Sequence, residues 1–195
     1  MRNKSLARAL SVLGHPAIIL PLAISIRSTA INAPALSQWF LIALSIILAG
    51  GITLYSWIAV RRGKWDHIDA SNKLERVELN LILLAILFVC SIGAALLDKS
   101  RLIPFGLFII GCIIGAALLF RKHLKVSLHT SFAVFASFLL WPSSFYMIGG
   151  LVLSSAIGWS RIVLGRHTNW EVLVGALIGG AAGTALLFVL LYLTL

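Results

Sequence analysis

Apolar residues run along this chain in long blocks, without the alternating polar stripes of a soluble helical domain. Seven blocks stand out, at approximately 9–26, 38–60, 79–97, 102–120, 128–141, 144–160 and 171–194. A helix needs about 20 apolar residues to cross a hydrocarbon core about 30 Å thick, so these blocks predict spanning helices. The block at 128–141 is short, and Trp141-Pro142 closes it as a natural turn before the next. The first block is interrupted by His15, Pro16 and Pro21 and ends at Arg27. It suits a kinked span, an interfacial helix, or a signal peptide with Arg2, Lys4 and Arg8 as its basic end. No convincing cleavage site follows it, which favours a retained span. The fold class expected is therefore all-α: a polytopic transmembrane helical bundle of six to seven spans, built as one domain over residues 1–195.

Composition removes the soluble alternatives. The chain is 60% hydrophobic and 11% charged, with a mean hydropathy of +1.02. These values describe an integral membrane protein, with the bilayer as its first partner. A net charge of +10 would point to nucleic acid in a soluble protein. Here the 16 basic residues sit at the ends of the apolar blocks, so headgroups and topology explain them and no nucleic-acid partner is expected. If all seven blocks span, one face collects Arg2, Lys4, Arg8, Arg61, Arg62, Lys64, Lys73, Arg76, Arg121, Lys122, Lys125, Arg161 and Arg166. The other holds only Arg27, Lys99 and Arg101. Thirteen against three becomes ten against three when Arg76, Arg161 and Arg166 are set aside as candidate site residues. The basic face is therefore expected in the cytoplasm.

Three polar constellations fall on that face. The first is Trp159-Ser160-Arg161-Ile162-Val163-Leu164-Gly165-Arg166-His167-Thr168, followed by Glu171. Polar groups crowded beside a bilayer are costly unless they face water or a site. Arg161 and Arg166 are suited to hold phosphate oxygens, His167 to act as a nucleophile, and Glu171, one helical turn on, to orient its ring. The plain alternative makes the arginines flanking charges and the histidine a capping residue. The second is Lys125-Val126-Ser127-Leu128-His129-Thr130-Ser131, at the mouth of the short fifth block. Its plain reading is a pair of helix caps, Ser127 and Thr130, beside a boundary histidine. The third is the loop from Trp65 to Arg76, which on its own reads as a solvated charged connector.

Together these resemble the three signatures of the type 2 phosphatidic acid phosphatase superfamily, in its integral-membrane lipid phosphatase branch. Ser160-Arg161, His167 and Glu171 match the third signature, whose last residue is Asp in the family. Ser127 and His129 match the second, Pro-Ser-Gly-His, with Val126 and Leu128 departing from it. Arg76 matches the arginine of the first, Lys-x6-Arg-Pro, but Asp69 stands at the lysine position and Val77 at the proline. Lys73, on the same helical side as Arg76, is placed to supply the missing cation, and Asp66 and Asp69 to position Arg76. The matches occur in family order and span roughly residues 66–175, although two apolar blocks separate the first from the second.

The resemblance implies a site at one membrane face and metal-independent hydrolysis of a membrane lipid phosphate through a phosphohistidine. The substrate would be phosphatidate-type, or a polyprenyl phosphate or diphosphate. It implies His167 as nucleophile, His129 as the acid that protonates the leaving oxygen, and Glu171 as the group activating His167. It implies Arg76, Ser127 and Arg161 as phosphate ligands, with Lys73 or Arg166 as further cations. No cofactor is expected. No metal is expected either, since His123 and His129, six residues apart, do not share a helical face. A catalytically inactive lipid-binding relative and a small transporter are the alternatives. Cys90 and Cys112 read as small buried hydrophobes without a disulfide framework. Gly175, Gly179 and Gly183 allow a helix to approach the last block closely, and the sequence leaves open whether that helix is the chain's own or a second copy's.

Overall fold

A computed structural model describes residues 2–30, 35–66, 70, 72–97 and 102–194. Among the described residues the chain is all-helical: α1 (Arg2–Leu13), α2 (Pro16–Ala30), α3 (Ala35–Arg61), α4 (Lys73–Leu97), α5 (Leu102–Phe120), α6 (Leu128–Leu139), α7 (Ser144–Val163) and α8 (Asn169–Thr194). Five of these helices, α3, α4, α5, α7 and α8, are long and apolar enough to cross a membrane. With the bent pair α1–α2 counted as one span the number is up to six, against the six to seven expected, and two of the blocks differ from a continuous span. The first block is not one helix, because α1 and α2 meet at a 59° bend. Pro16 opens α2, where its fixed φ fits and its missing N–H costs nothing. The preceding Gly14 lies so close to α7 that a Cβ there would stand 2.5 Å from Ile157. The second such block is α6. Its 12 residues rise about 18 Å, too little to cross the hydrocarbon core alone.

Packing explains how so short a helix is held. α6 lies between α7 and α8 and also contacts α2. Gly175, Gly179 and Gly183 face it along one stripe of α8. A Cβ on them would stand 2.7 Å from the Ser127 carbonyl oxygen, 2.2 Å from that of Ser131 and 2.4 Å from the Phe138 ring. The stripe therefore serves an intramolecular contact. Gly150 of α7 makes a similar approach to Ser137. At the far end of α6, the Arg27 guanidinium donates to the carbonyls of Leu139 and Trp141, at 3.2 and 2.5 Å. This satisfies oxygens that a helix C-terminus otherwise leaves without partners.

The other half of the bundle pairs α4 with α5 and α2 with α3, and α5 closes onto α8. Its core includes Leu87, Ile109, Ile113, Ile114, Phe132, Phe135 and Leu186. The loop between α3 and α4 is anchored. Trp65 and Ala70 are each 3% exposed, the Glu75 carboxylate accepts the N–H groups of Asp66 and Asn72, and Glu78 accepts Tyr55 Oη and Lys64 Nζ. The described part of this segment is thus held by specific contacts, while Asp66, Asn72, Lys73 and Leu74 stay exposed. Asp69 lies outside the described residues. Cys112 is exposed on the outer surface of α5, contrary to the expectation of burial, and Cys90 is half-buried; both are free. A helix apolar on all sides carries no stripe to tell a core face from a lipid face.

Candidate functional site

The segment between α7 and α8 is shaped by two capping devices in succession. Gly165, at φ +65°, ends α7 in a left-handed conformation that an L side chain rarely adopts. The N–H of Arg166 reaches back to the Arg161 carbonyl and that of Gly165 to Ile162, both at 2.9 Å, which closes a Schellman motif. Three residues later α8 opens with a capping box. The Thr168 N–H donates to Glu171 Oε2 at 3.0 Å, and the Glu171 N–H donates to Thr168 Oγ1 at 3.3 Å. Held between the two devices, His167 is fixed by local backbone chemistry.

Its ring chemistry follows from its partners. His167 Nδ1 lies 3.1 Å from Glu171 Oε2 and 3.1 Å from the Lys125 carbonyl oxygen. Both are acceptors, so Nδ1 carries the proton and the neutral ring presents Nε2 as its basic nitrogen. The imidazole is only 6% exposed. Burial, then the charges of Lys125 and Arg161, lower its pKa from the ordinary 6.5 to about 4, against the opposing pull of Glu171. The ring is therefore neutral at pH 7.

Lys125 ties this segment to the start of α6. Its Nζ donates to the Arg166 carbonyl at 2.9 Å, and its N–H donates to Glu171 Oε1 at 3.3 Å. The next tie is the Ser127 N–H, bound to the Glu171 carbonyl at 3.1 Å. The Lys125 ammonium is pulled below its ordinary value by burial first, then by the positive charges of Arg76, Arg161 and Arg166, with Glu171 opposing. Cations from α4, α7 and the α7–α8 turn thus crowd the same region.

A cavity of about 1640 Å³ opens on this cluster, and Lys73, Arg76, His129, Arg161, Arg166 and His167 all line it. Arg76, His129, Arg161, Arg166 and His167 lie close enough to act electrostatically on one another or on Lys125, and Lys73 shares the cavity's lining with them. Glu171 stands behind them, in contact with His167. Ser127 does not join them and corrects the expectation that it faces phosphate. It is 0% exposed, its hydroxyl bonds Thr130 Oγ1 at 3.0 Å, and it does not line the cavity. Although Ser127 occupies the N-cap position of α6, its side chain makes no cap hydrogen bond either. The close seating of α6 on α8 at Gly175 encloses it.

The bend between α1 and α2 contributes residues that sequence reasoning missed. Ser11 Oγ accepts a 2.6 Å hydrogen bond from the Arg161 guanidinium, whose side chain is buried. The His15 ring stands edge-on to His129 with centroids 5.1 Å apart, and His15 Nδ1 accepts the Ala17 N–H. Both residues line the cavity. The one available signal was that His15 interrupts an apolar block. Comparison with known proteins finds no matching family model, no matching curated protein and no matching solved structure.

Proposed function

We propose that this protein hydrolyses a membrane lipid phosphate by two displacements at phosphorus. The observation that carries the reading is the His167 ring. Its Nδ1–H is committed to Glu171 and the Lys125 carbonyl, which leaves Nε2 as an unprotonated nucleophile beside buried and half-buried cations. In the first displacement Nε2 forms a bond to phosphorus and the bond from phosphorus to the lipid oxygen breaks. Burial, then the charges of Arg161, His15 and His167, hold His129 well below its ordinary 6.5. It therefore takes up a proton only as the phosphate's negative charge arrives beside it, and delivers that proton to the departing oxygen. In the second, water attacks the phosphohistidine, His129 takes the water's proton, and phosphate leaves with His167 restored. Arg161 and Arg76 neutralise the phosphoryl oxygens as charge develops, with Lys73 and Arg166 at the rim. Ser11 positions Arg161, and His15 positions His129. Guanidinium groups carry the charge stabilisation, so the reaction needs no metal.

The resemblance to the type 2 phosphatidic acid phosphatase superfamily rests on the same residues, and the cavity supports it by gathering six of them. On this reading the protein sits in a membrane with its site at the basic face. Lys125 and Arg166 meet at one end of the bundle, with the charges of Arg76 and Arg161 acting on Lys125 there, and on the positive-inside tendency that end is cytoplasmic. Single cysteines at Lys64 and Lys122, in a Cys90→Ala, Cys112→Ala background, should react with an impermeant thiol reagent only after cells are permeabilised. Labelling of intact cells at both positions would move the site to the outer leaflet. The activity is tested by phosphate release from phosphatidate, phosphatidylglycerophosphate and polyprenyl diphosphates, with and without chelator. His129→Ala should slow the reaction by about 10²–10⁴-fold. Release that a chelator abolishes would contradict the metal-independent route.

A further inference from the structure

The cavity does not stop at the charged cluster. Its walls continue along α5 as far as Ile103 and meet α8 only at Leu186 and Leu190. From Phe120, where α5 ends beside Arg121 and Lys122, down to Ile103 is seventeen residues of helix, a rise of about 25 Å. That depth is most of the hydrocarbon thickness of a bilayer, about 30 Å. Below the charged end the lining is mostly apolar, chiefly leucine and isoleucine with Phe132 and Phe135; Ser45, Thr53, Ser56 and Asn80 interrupt it, and Arg27 and Ser28 line the far end. A phosphate-sized ligand would occupy a small fraction of such a space.

We infer that the cavity holds the hydrocarbon tail of the same molecule whose phosphate meets His167, and that its length and walls select substrates by tail length. The inference rests on the reading of the charged end as a phosphate site. An amphiphile with an anionic head and one long tail matches the cavity's division into a cationic end and an apolar shaft. Moving a tail from the bilayer into an equally apolar shaft gains little hydrophobic free energy, since lipid is no less apolar than leucine. Selection therefore works through fit. A tail that fills the shaft gains close contacts along it, and one that meets an obstruction loses them.

Two glycines make the shaft adjustable at known depths. Gly50 and Gly106 both line the cavity, and a Cβ built on either meets no atom within 4 Å. Gly50 is eleven residues above Arg61, about 16 Å from the basic end, and Gly106 is fourteen from Phe120 at the end of α5, about 21 Å. Gly50→Phe and Gly106→Phe therefore obstruct the shaft at two levels. Gly93→Phe is the control, because Gly93 has equally open surroundings but does not line the cavity.

The test uses the full-length protein in detergent with octyl, dodecyl, hexadecyl and eicosyl phosphates. Phosphate release is measured for each. The rise in Tm caused by the corresponding non-hydrolysable phosphonates is measured in parallel. In the parent, affinity rises with tail length. Gly106→Phe should weaken the longest tail, and Gly50→Phe the two longest, by at least about fivefold, while Gly93→Phe keeps the parent profile. Gly50→Leu should give a smaller change in the same direction. Identical length profiles in the parent and both obstructed variants would overturn the inference and leave the tail in the surrounding lipid. Length-dependent Tm shifts that the obstructions remove, in a protein releasing no phosphate from any substrate, would support the tail site and refute the hydrolytic reading.

Discussion

Glycine does opposite things in the two halves of this bundle. On the side of α6, α7 and α8, Gly150, Gly158, Gly175, Gly179 and Gly183 each bring a neighbour to within 3 Å of where a Cβ would stand. On the side of α3, α4 and α5, Gly50, Gly51, Gly93 and Gly106 have nothing within 4 Å, and Gly111 and Gly115 meet α4 only at ordinary contact distance; Gly149 and Gly180, on α7 and α8, are open as well. The first arrangement seats helices against one another and fixes the groups at their ends: His129 on α6, Arg161 on α7, Glu171 on α8. The second leaves room, and the long cavity lies there. A site that holds phosphorus in one geometry needs stiff support, whereas a space for a flexible chain does not. The same residue type, met at similar spacing in the sequence, serves both ends.

The largest effect expected from breaking this contrast is at Gly179. A side chain there meets the Ser131 backbone, which cannot turn aside as a side-chain tip could. Gly179→Leu should lose folded yield and turnover together. Gly179→Ala should cost about 1–3 kcal/mol, the usual range for overpacking. Gly106→Ala, in open space, should be neutral or stabilising by up to about 1 kcal/mol. Thermal unfolding in detergent measures both, and equal Tm changes would erase the distinction between the halves.

A smaller effect separates electrostatics from packing within the rigid half. The His167 pKa of about 4 is held down by burial and then by the charges of Lys125 and Arg161. The acid limb of kcat/KM should therefore lie near pH 4. Lys125→Met removes one positive charge and should move that limb upward, toward 6.5. Glu171→Gln removes a group that raises the pKa and should move it downward. The same displacement links to stability. The unfolded histidine titrates near its ordinary value and the folded one lower, so this contribution is whole above about pH 6.5 and is lost as pH falls toward 4. An acid limb unmoved in Lys125→Met would show that the limb belongs to another group.

Smaller again is the effect at the bend between α1 and α2. Ser11→Ala removes the hydroxyl that accepts from Arg161. Hydrogen bonds to charged groups contribute about 1.5–3 kcal/mol to stability, so Tm should fall, and KM for a lipid phosphate should rise with it as Arg161 loses its fixed position. Ser11→Thr, which keeps the hydroxyl, should restore most of the loss. A fall in Tm with KM unchanged would make Ser11 a packing residue only.

The sequence displayed the parts of this molecule whose causes are local. The span ends follow from charge, and the α7–α8 turn is readable because Gly165, Thr168 and Glu171 signal both caps within a few residues. The Glu171–His167 pairing follows from helical spacing. Other features depend on distance along the chain. Ser11 meets Arg161 across 150 positions, and His15 meets His129 only because Gly14 lets the bend lie against Ile157. Ser127 could be matched to a motif, yet its burial depends on how closely α6 seats on α8. The exposure of Cys112 was equally hidden, since uniform apolarity conceals which face meets lipid. α6 itself was legible as a short apolar run, but its anchorage by Arg27 from the end of α2 was not.

The central claim is a covalent one, and it is tested most directly by trapping the intermediate. Purified protein would be mixed with a long-chain lipid carrying labelled phosphate, quenched in alkali and digested, with His129→Ala used to slow breakdown of the intermediate. The account predicts alkali-stable, acid-labile label on the peptide containing His167, in amounts that approach one phosphate per active site, and none in His167→Ala. Full phosphate release by His167→Ala, or release by the parent with label on a different residue, would contradict it.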